Sequence, residues 1–299
     1  MMLILKDKKA RLMRLATYAS VATAFILILA KSTVWLTTGS LAIFASLIDS
    51  LMDIAASGIN MIAIHYSLKR PDKEHKFGYG KAEPLAGLAQ ASFITGTAVF
   101  LLFQAVERIA SPKPIEALGT GMWVIFFAII LTGVLITFQR FVIKQTGSTA
   151  IKADALHYTT DILTNTATLL ALFFIGKGYY FVDALFAAGI ALYILYSARV
   201  IAVEAMHLIL DRELPEEIRK KILLIAQSPE NVLGVHDLRT RQSGQIKLIQ
   251  LHLELAADMK LARAHALAKE VEKNIQIFLP DADIIIHQDP YFPKEKFSS

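Results

Sequence analysis

Four ionisable residues inside two apolar stretches define the chemistry open to this 299-residue chain. Asp49 and Asp53 occur in SLIDSLMDIAAS, and His157 and Asp161 in DALHYTTDILTN. Each pair is spaced i, i+4, which puts both side chains on one helix face about one turn apart. Facing the pairs toward each other gives three carboxylates and one imidazole around a point. That is a tetrahedral N/O set suited to zinc or a similar first-row divalent ion, with ligands at about 2.0–2.2 Å. Buried salt bridges or polar glue between helices are the alternative. Against them, neither pair is matched with a Lys or Arg at its depth, so the negative surplus calls for protons or a cation. Asp154, nearer the cytoplasmic end of its helix, reads as a helix-start residue and not as a ligand.

The stretches that carry these residues are long. The chain is 55% hydrophobic and only 19% charged, with a mean hydropathy of +0.48, too apolar for a soluble globule of this size. A spanning helix needs roughly 20 mostly apolar residues. Six segments qualify, near 13–36, 41–67, 82–110, 121–144, 150–175 and 180–208. A carboxylate inside such a span costs about 2.5 kcal/mol or more, so each of the four calls for a partner, a cavity or a function. From 209 onward charges return at the frequency of a soluble domain, which divides the chain into 1–208 and 209–299. There is no cysteine, leaving imidazole and carboxylate as the plausible metal ligands.

Basic residues fix the expected orientation. Five precede the first span (Lys6, Lys8, Lys9, Arg11, Arg14), five lie in the second connection (Lys69, Arg70, Lys73, Lys76, Lys81) and three in the fourth (Arg140, Lys144, Lys152). The opposite side has Lys113 and Lys177 in loops, with Lys31 and Arg108 near helix ends, where long side chains can snorkel. By the positive-inside rule both termini face the cytoplasm. The basic amino-terminal stretch lacks an A-x-A-like cleavage site and reads as part of a retained first span. The net charge of +5 is thus an orientation signal and implies no nucleic-acid partner.

Beyond the spans the pattern is helix Pro215–Gln227, strands Val235–Gln242 and Gln245–Leu255 around a Ser-Gly turn, helix Leu261–Ile277 and strand Asp283–His287. Alternation puts Ile249, Leu251, Leu253 and Leu255 in a core, and Gln250, His252 and Glu254 on the other face. The order suggests a ferredoxin-like α+β layer. Four of the eight histidines lie here: His236, His252, His265 and His287, the last with Asp289 nearby. In a chain without cysteine their convergence would make a metal site or a two-ion cluster. The loop RPDKEHKFGYGKAEP also offers Asp72, Glu74 and His75, enough for an open or weak site, or for an ordinary solvated loop.

The six spans, the D-x-x-x-D of the second, the H-x-x-x-D of the fifth and the His-bearing C-terminal domain resemble the cation diffusion facilitators, most closely their bacterial zinc and ferrous-iron efflux branch. FGYGKAEPLAGLAQ, KADALHY, LDRELP, GVHDLRTRQSG and IIIHQDP are further matching stretches. The resemblance implies an α-helical membrane protein of six transmembrane helices followed by a cytoplasmic ferredoxin-like α+β domain. It implies a homodimeric exporter in the cell inner membrane, exchanging zinc, cadmium or ferrous iron for protons. Asp49, Asp53, His157 and Asp161 would form the transport site. His236, His252, His265, His287 and Asp289 would hold zinc or a similar ion at a cytoplasmic dimer-interface site. Asp72 and His75 would form a weak loop site, because Tyr79 stands where the family has a third ligand, a His. Lys81 and Asp211 match positions of a charge interlock that holds the dimer near the membrane surface.

Protons and metal compete for the same groups, since an unperturbed imidazole titrates near pH 6.5. Alternating access of the helices would turn that competition into antiport. Two other classes fit less well. An intramembrane zinc enzyme lacks an H-E-x-x-H and a free general base, so the chain reads as no enzyme. A membrane-anchored metal sensor would bind ions without flux.

Overall fold

A computed structural model describes residues 2–39, 41–110, 121–175 and 181–292. The connections 111–120 and 176–180, with Lys113 and Lys177, lie outside the described residues. Among those described, six long helices come first: α1 (Met2–Thr38), α2 (Leu41–Ser67), α3 (Ala82–Ala110), α4 (Gly121–Thr146), α5 (Thr149–Ile175) and α6 (Phe181–Ile209).

Glycine ends two of them. Gly39 and Gly147 both take positive φ and donate their N–H back to Trp35 and Ile143, the left-handed stop that a residue without a Cβ adopts cheaply. Ser148 then starts α5, its hydroxyl accepting the Ile151 N–H. The helix-start residue is therefore Ser148, and Asp154 lies a full turn inside.

Among the described residues, five of the six helices are long and apolar enough to cross a membrane. The remaining one, α5, is of spanning length and carries Lys152, Asp154, His157 and Asp161. The helices touch through small residues, as in the cluster of Ala91, Ala98, Ala153 and Ala198 around Ile94 and Ile194, which lets backbones approach where lipid offers no hydrophobic drive. Large side chains such as Phe100, Phe103, Trp123, Val134 and Tyr196 point outward, the inverse of a soluble bundle and the arrangement that hydrocarbon solvates.

The chain packs as two units, a helical one of Asp7–Met206 and a C-terminal one beginning at His207. The second contains α7 (Glu216–Gln227), β1 (Gly234–Ser243), β2 (Ile246–Ala256), α8 (Leu261–Phe278) and β3 (Ala282–Tyr291). Its sheet runs β1-β2-β3, with β1 and β2 an antiparallel hairpin and β2 and β3 parallel across α8. Ile249, Leu251, Leu253 and Leu255 pack with Ile222, Leu267, Val271 and Ile275, so the expected core face of β2 is the observed one. The opposite face carries the histidines.

Candidate metal centre

Asp53 lies near the middle of α2 and His157 and Asp161 on one face of α5. The helices bring His157 Nε2 to 2.9 Å from Asp53 Oδ1 and 4.0 Å from Asp161 Oδ2. One ligand atom from each of the three lies within 4.8 Å of the others, the spacing of groups around a common ion. The Phe93 ring lies 6.3 Å from the His157 ring between centroids, tilted against it. Asp49 stands one turn from Asp53 on α2 but is exposed and lies outside this group of three.

Lys31 corrects the expectation that no cation reaches this depth. It sits about 10 Å, or seven residues at 1.5 Å each, from the end of α1, too deep to reach the interface easily. Its side chain turns inward instead: 9% exposed, with the ammonium donating to Ser46 O at 2.9 Å and to Ser50 Oγ at 2.7 Å. Ser50 lies between Asp49 and Asp53 on α2.

Asp154 is the second correction. It is 1% exposed and collects donors from four other helices. Oδ2 accepts from Ser20 of α1 at 2.5 Å and Gln139 of α4 at 2.7 Å. Oδ1 accepts from Gln90 of α3 at 3.3 Å and Ser57 of α2 at 3.4 Å. Tyr158 braces the same node, donating to Ser20 O at 3.1 Å with its hydroxyl 2.9 Å from Ser57 Oγ. A buried carboxylate is tolerated when its lone pairs are filled, and here they are. The node lies one turn from His157 and fixes the rotation of α5.

The loop between α2 and α3 has its carboxylate already engaged. Tyr79 donates to Asp72 Oδ2 at 2.6 Å; the backbone N–H groups of His75 and Glu74 donate to Oδ1 at 2.8 Å and 3.1 Å. Lys69 adds an ion pair at 3.4 Å and lies over the Tyr79 ring. Led by the Tyr79 hydroxyl, these donors hold the Asp72 carboxyl well below the usual carboxylate range. The order this lends the loop is complete above the ordinary carboxylate pKa of about 3.9 and fades only in stronger acid. A metal would have to displace the phenol. Tyr79→His removes that donor and supplies an imidazole, and is expected to add one zinc per chain in titration calorimetry. An unchanged count would show that the tyrosine is not what blocks the site.

In the C-terminal unit, His236, His252 and His287 occupy one row across all three strands. Asp289 completes the group: its Oδ2 lies 2.8 Å from His252 Nδ1 and 3.3 Å from His236 Nε2, and its Oδ1 2.7 Å from His287 Nδ1. The His252 hydrogen bond, with help from His287, holds Asp289 below the usual carboxylate range, ready as a ligand. Glu254, 3.1 Å from His236 Nδ1, joins from the face that alternation had assigned to it. Gly234 makes room, since a Cβ there would collide with the Glu254 carboxylate. A bulge after His236 puts Asp237 at positive φ, 3.8 Å from His252. His265 stands on the exposed face of α8, outside the row. Asp211 pairs with Arg241 at 3.0 Å.

Six long helices, a carboxylate–imidazole cluster in mid-span and a histidine-bearing α+β unit define a multi-pass membrane transporter for metal cations. Residues 17–210 match the cation efflux transmembrane domain and residues 214–291 the cation efflux protein cytoplasmic domain. The chain is 47% identical over 289 residues to the cation-efflux pump FieF of Yersinia enterocolitica, covering 96% of each. It is 47% identical over 280 residues to FieF of Klebsiella pneumoniae, covering 94% of this chain and 93% of that one. A solved structure of CzrB, described as a candidate zinc transporter in its Zn form, is 30% identical, with 29% of this chain and 99% of that chain covered and a TM-score of 0.27. The chain belongs to the cation efflux family, the cation diffusion facilitators, and is a transporter and not an enzyme.

Proposed function

We propose that this protein exports a divalent metal, zinc foremost with cadmium and ferrous iron as further passengers, in exchange for protons. It does so as a homodimer in a bacterial inner membrane, with both termini in the cytoplasm. The observation that carries the reading is the mid-span meeting of Asp53 and His157 at 2.9 Å with Asp161 alongside. Asp49, one turn away on the same helix, closes the tetrahedron when a metal arrives. Efflux is supported by the relatives, which are named cation-efflux pumps; the orientation by the basic loops; the dimer by the family's cytoplasmic domain. An imidazole and carboxylates take either a proton or a metal at the same lone pair. Metal entering from a near-neutral cytoplasm therefore displaces protons, and protons from a more acidic exterior drive it off once the helices have reopened outward.

The cytoplasmic row of His236, His252, His287 and Asp289, with His265 offered from α8, holds a structural or regulatory ion of the same kind. One donor atom from each of His236, His252 and Asp289 lies close enough to the others to share one, with His287 beside them on Asp289. Lys81 and Asp211 are assigned to the dimer interlock on the resemblance, where Asp211 is also steadied by Arg241.

The test is a competition of zinc, ferrous iron and manganese flux in proteoliposomes, with and without a pH gradient. An imidazole ligand favours zinc over manganese, which prefers oxygen donors, so zinc should move faster. Faster manganese would sink that selectivity, and flux indifferent to the gradient would sink the antiport. A membrane-anchored sensor would bind metal and move none.

A further inference from the structure

The transport-site residues bring three carboxylates and a neutral imidazole, a formal charge of minus three that one divalent ion leaves under-neutralised. The missing charge is built into α1. Lys31 is buried and its ammonium is fixed on α2 by two bonds, to Ser46 O and Ser50 Oγ. Ser50 precedes Asp53 by three residues, so the two share one side of the helix, and Asp49 stands one turn before Asp53 on α2. These two bonds hold the ammonium against the turn of α2 that carries Asp49, one turn from Asp53. It can ligate no metal, because an ammonium has donors and no lone pair.

We propose that Lys31 is a specificity-determining residue of the transport site: its positive charge, held by Ser46 and Ser50, lowers the charge of the ligand set to the two units that one divalent ion neutralises. The site then binds a divalent ion without an excess of attraction that would hinder its release. This inference rests on the assignment of Asp49, Asp53, His157 and Asp161 as the transport site.

Lys31→Met tests it. Methionine suits an apolar helix, and the Ser50 hydroxyl is free to turn to the Ser46 carbonyl one turn back on its own helix, so the variant leaves no orphaned donor. Zinc flux is measured in proteoliposomes for the wild type, Lys31→Met, Lys31→Arg and Asp53→Ala. Removing one positive charge near a buried divalent ion should tighten binding and slow release, lowering KM and kcat for Lys31→Met each by about tenfold. Lys31→Arg keeps the charge and should return KM toward the wild-type value, which a purely packing role for the lysine would not require. An unchanged or raised KM in Lys31→Met, with Asp53→Ala still inactive, overturns the role of Lys31 and leaves the site standing. Undiminished flux in Asp53→Ala overturns the site and this inference together.

Discussion

Asp53→Ala and Asp161→Ala should each abolish metal flux in proteoliposomes, a loss of at least about 100-fold, since even outer-shell changes at metal sites cost 10–100-fold. The protein should still elute as a dimer and keep its helical content. Asp53 supplies the carboxylate nearest His157 Nε2, and without it α2 offers the donors on α5 only Asp49, which is exposed and outside the preformed group. Asp161 is 4.0 Å from the same nitrogen, and its loss leaves too few charged ligands on α5 to extract an ion from water. Both side chains reach into the cluster and not into the helix contacts, so folding is spared. Wild-type flux in both variants would end the assignment.

Asp154→Ala should fail in the other way, through stability. It strips an acceptor from the Gln90 and Gln139 amides, Gln139 keeping only its bond to Ser20 Oγ, and an orphaned buried donor costs about 1–3 kcal/mol. Ser20 and Ser57 suffer less, since Ser20 can fall back on Ala16 O and Ser57 on the Tyr158 hydroxyl. The sum is about 2–5 kcal/mol, which lowers a thermal transition in detergent by roughly 10 °C for a unit of this size. Asp154→Asn should be milder. The Gln139 Oε1 has no hydrogen-bond partner, so rotating that amide offers an acceptor to the new NH2 group. Equal damage from both variants would mean that charge, and not hydrogen-bond count, is what the node requires.

The contrast between these variants reflects what the sequence could and could not disclose. The extents of α2 to α6 were legible because membrane spans are set by length and apolarity, whereas α1 begins at Met2 and not near 13, its basic first turns carrying no apolar signal; β2 was legible because its two faces alternate so cleanly. The three strand histidines were legible as residue types, and their common row needed only the register of the pairing. Glu254 could have been added at once, as it shares the outer face of β2 with His252.

Other features depended on which helix packs on which. Lys31 looked like a snorkelling residue because its distance from the end of α1 was not weighed against the length of a lysine stem. Its two partners on α2 are then separated from it by 15 and 19 residues of chain. Asp154 looked like a helix start because Ser148, the actual one, follows a glycine that the apolar pattern does not mark. Its four donors come from four other helices, and no periodicity within α5 announces them. At Tyr79 the sequence displayed the departure from the family's histidine. Only the geometry displayed its effect, a phenol occupying the carboxylate that a metal would need.

The node at Asp154 also bears on how the protein is made. Helices enter a bilayer separately, each with its own backbone satisfied, and associate afterwards. Ser20, Ser57, Gln90 and Gln139 reach Asp154 only when α1 to α4 have all gathered around α5. Until the last of them docks, the carboxylate and the Gln90 and Gln139 amides are incompletely satisfied in hydrocarbon. Each helix that joins fills another lone pair, so the five-helix assembly is favoured over any partial bundle.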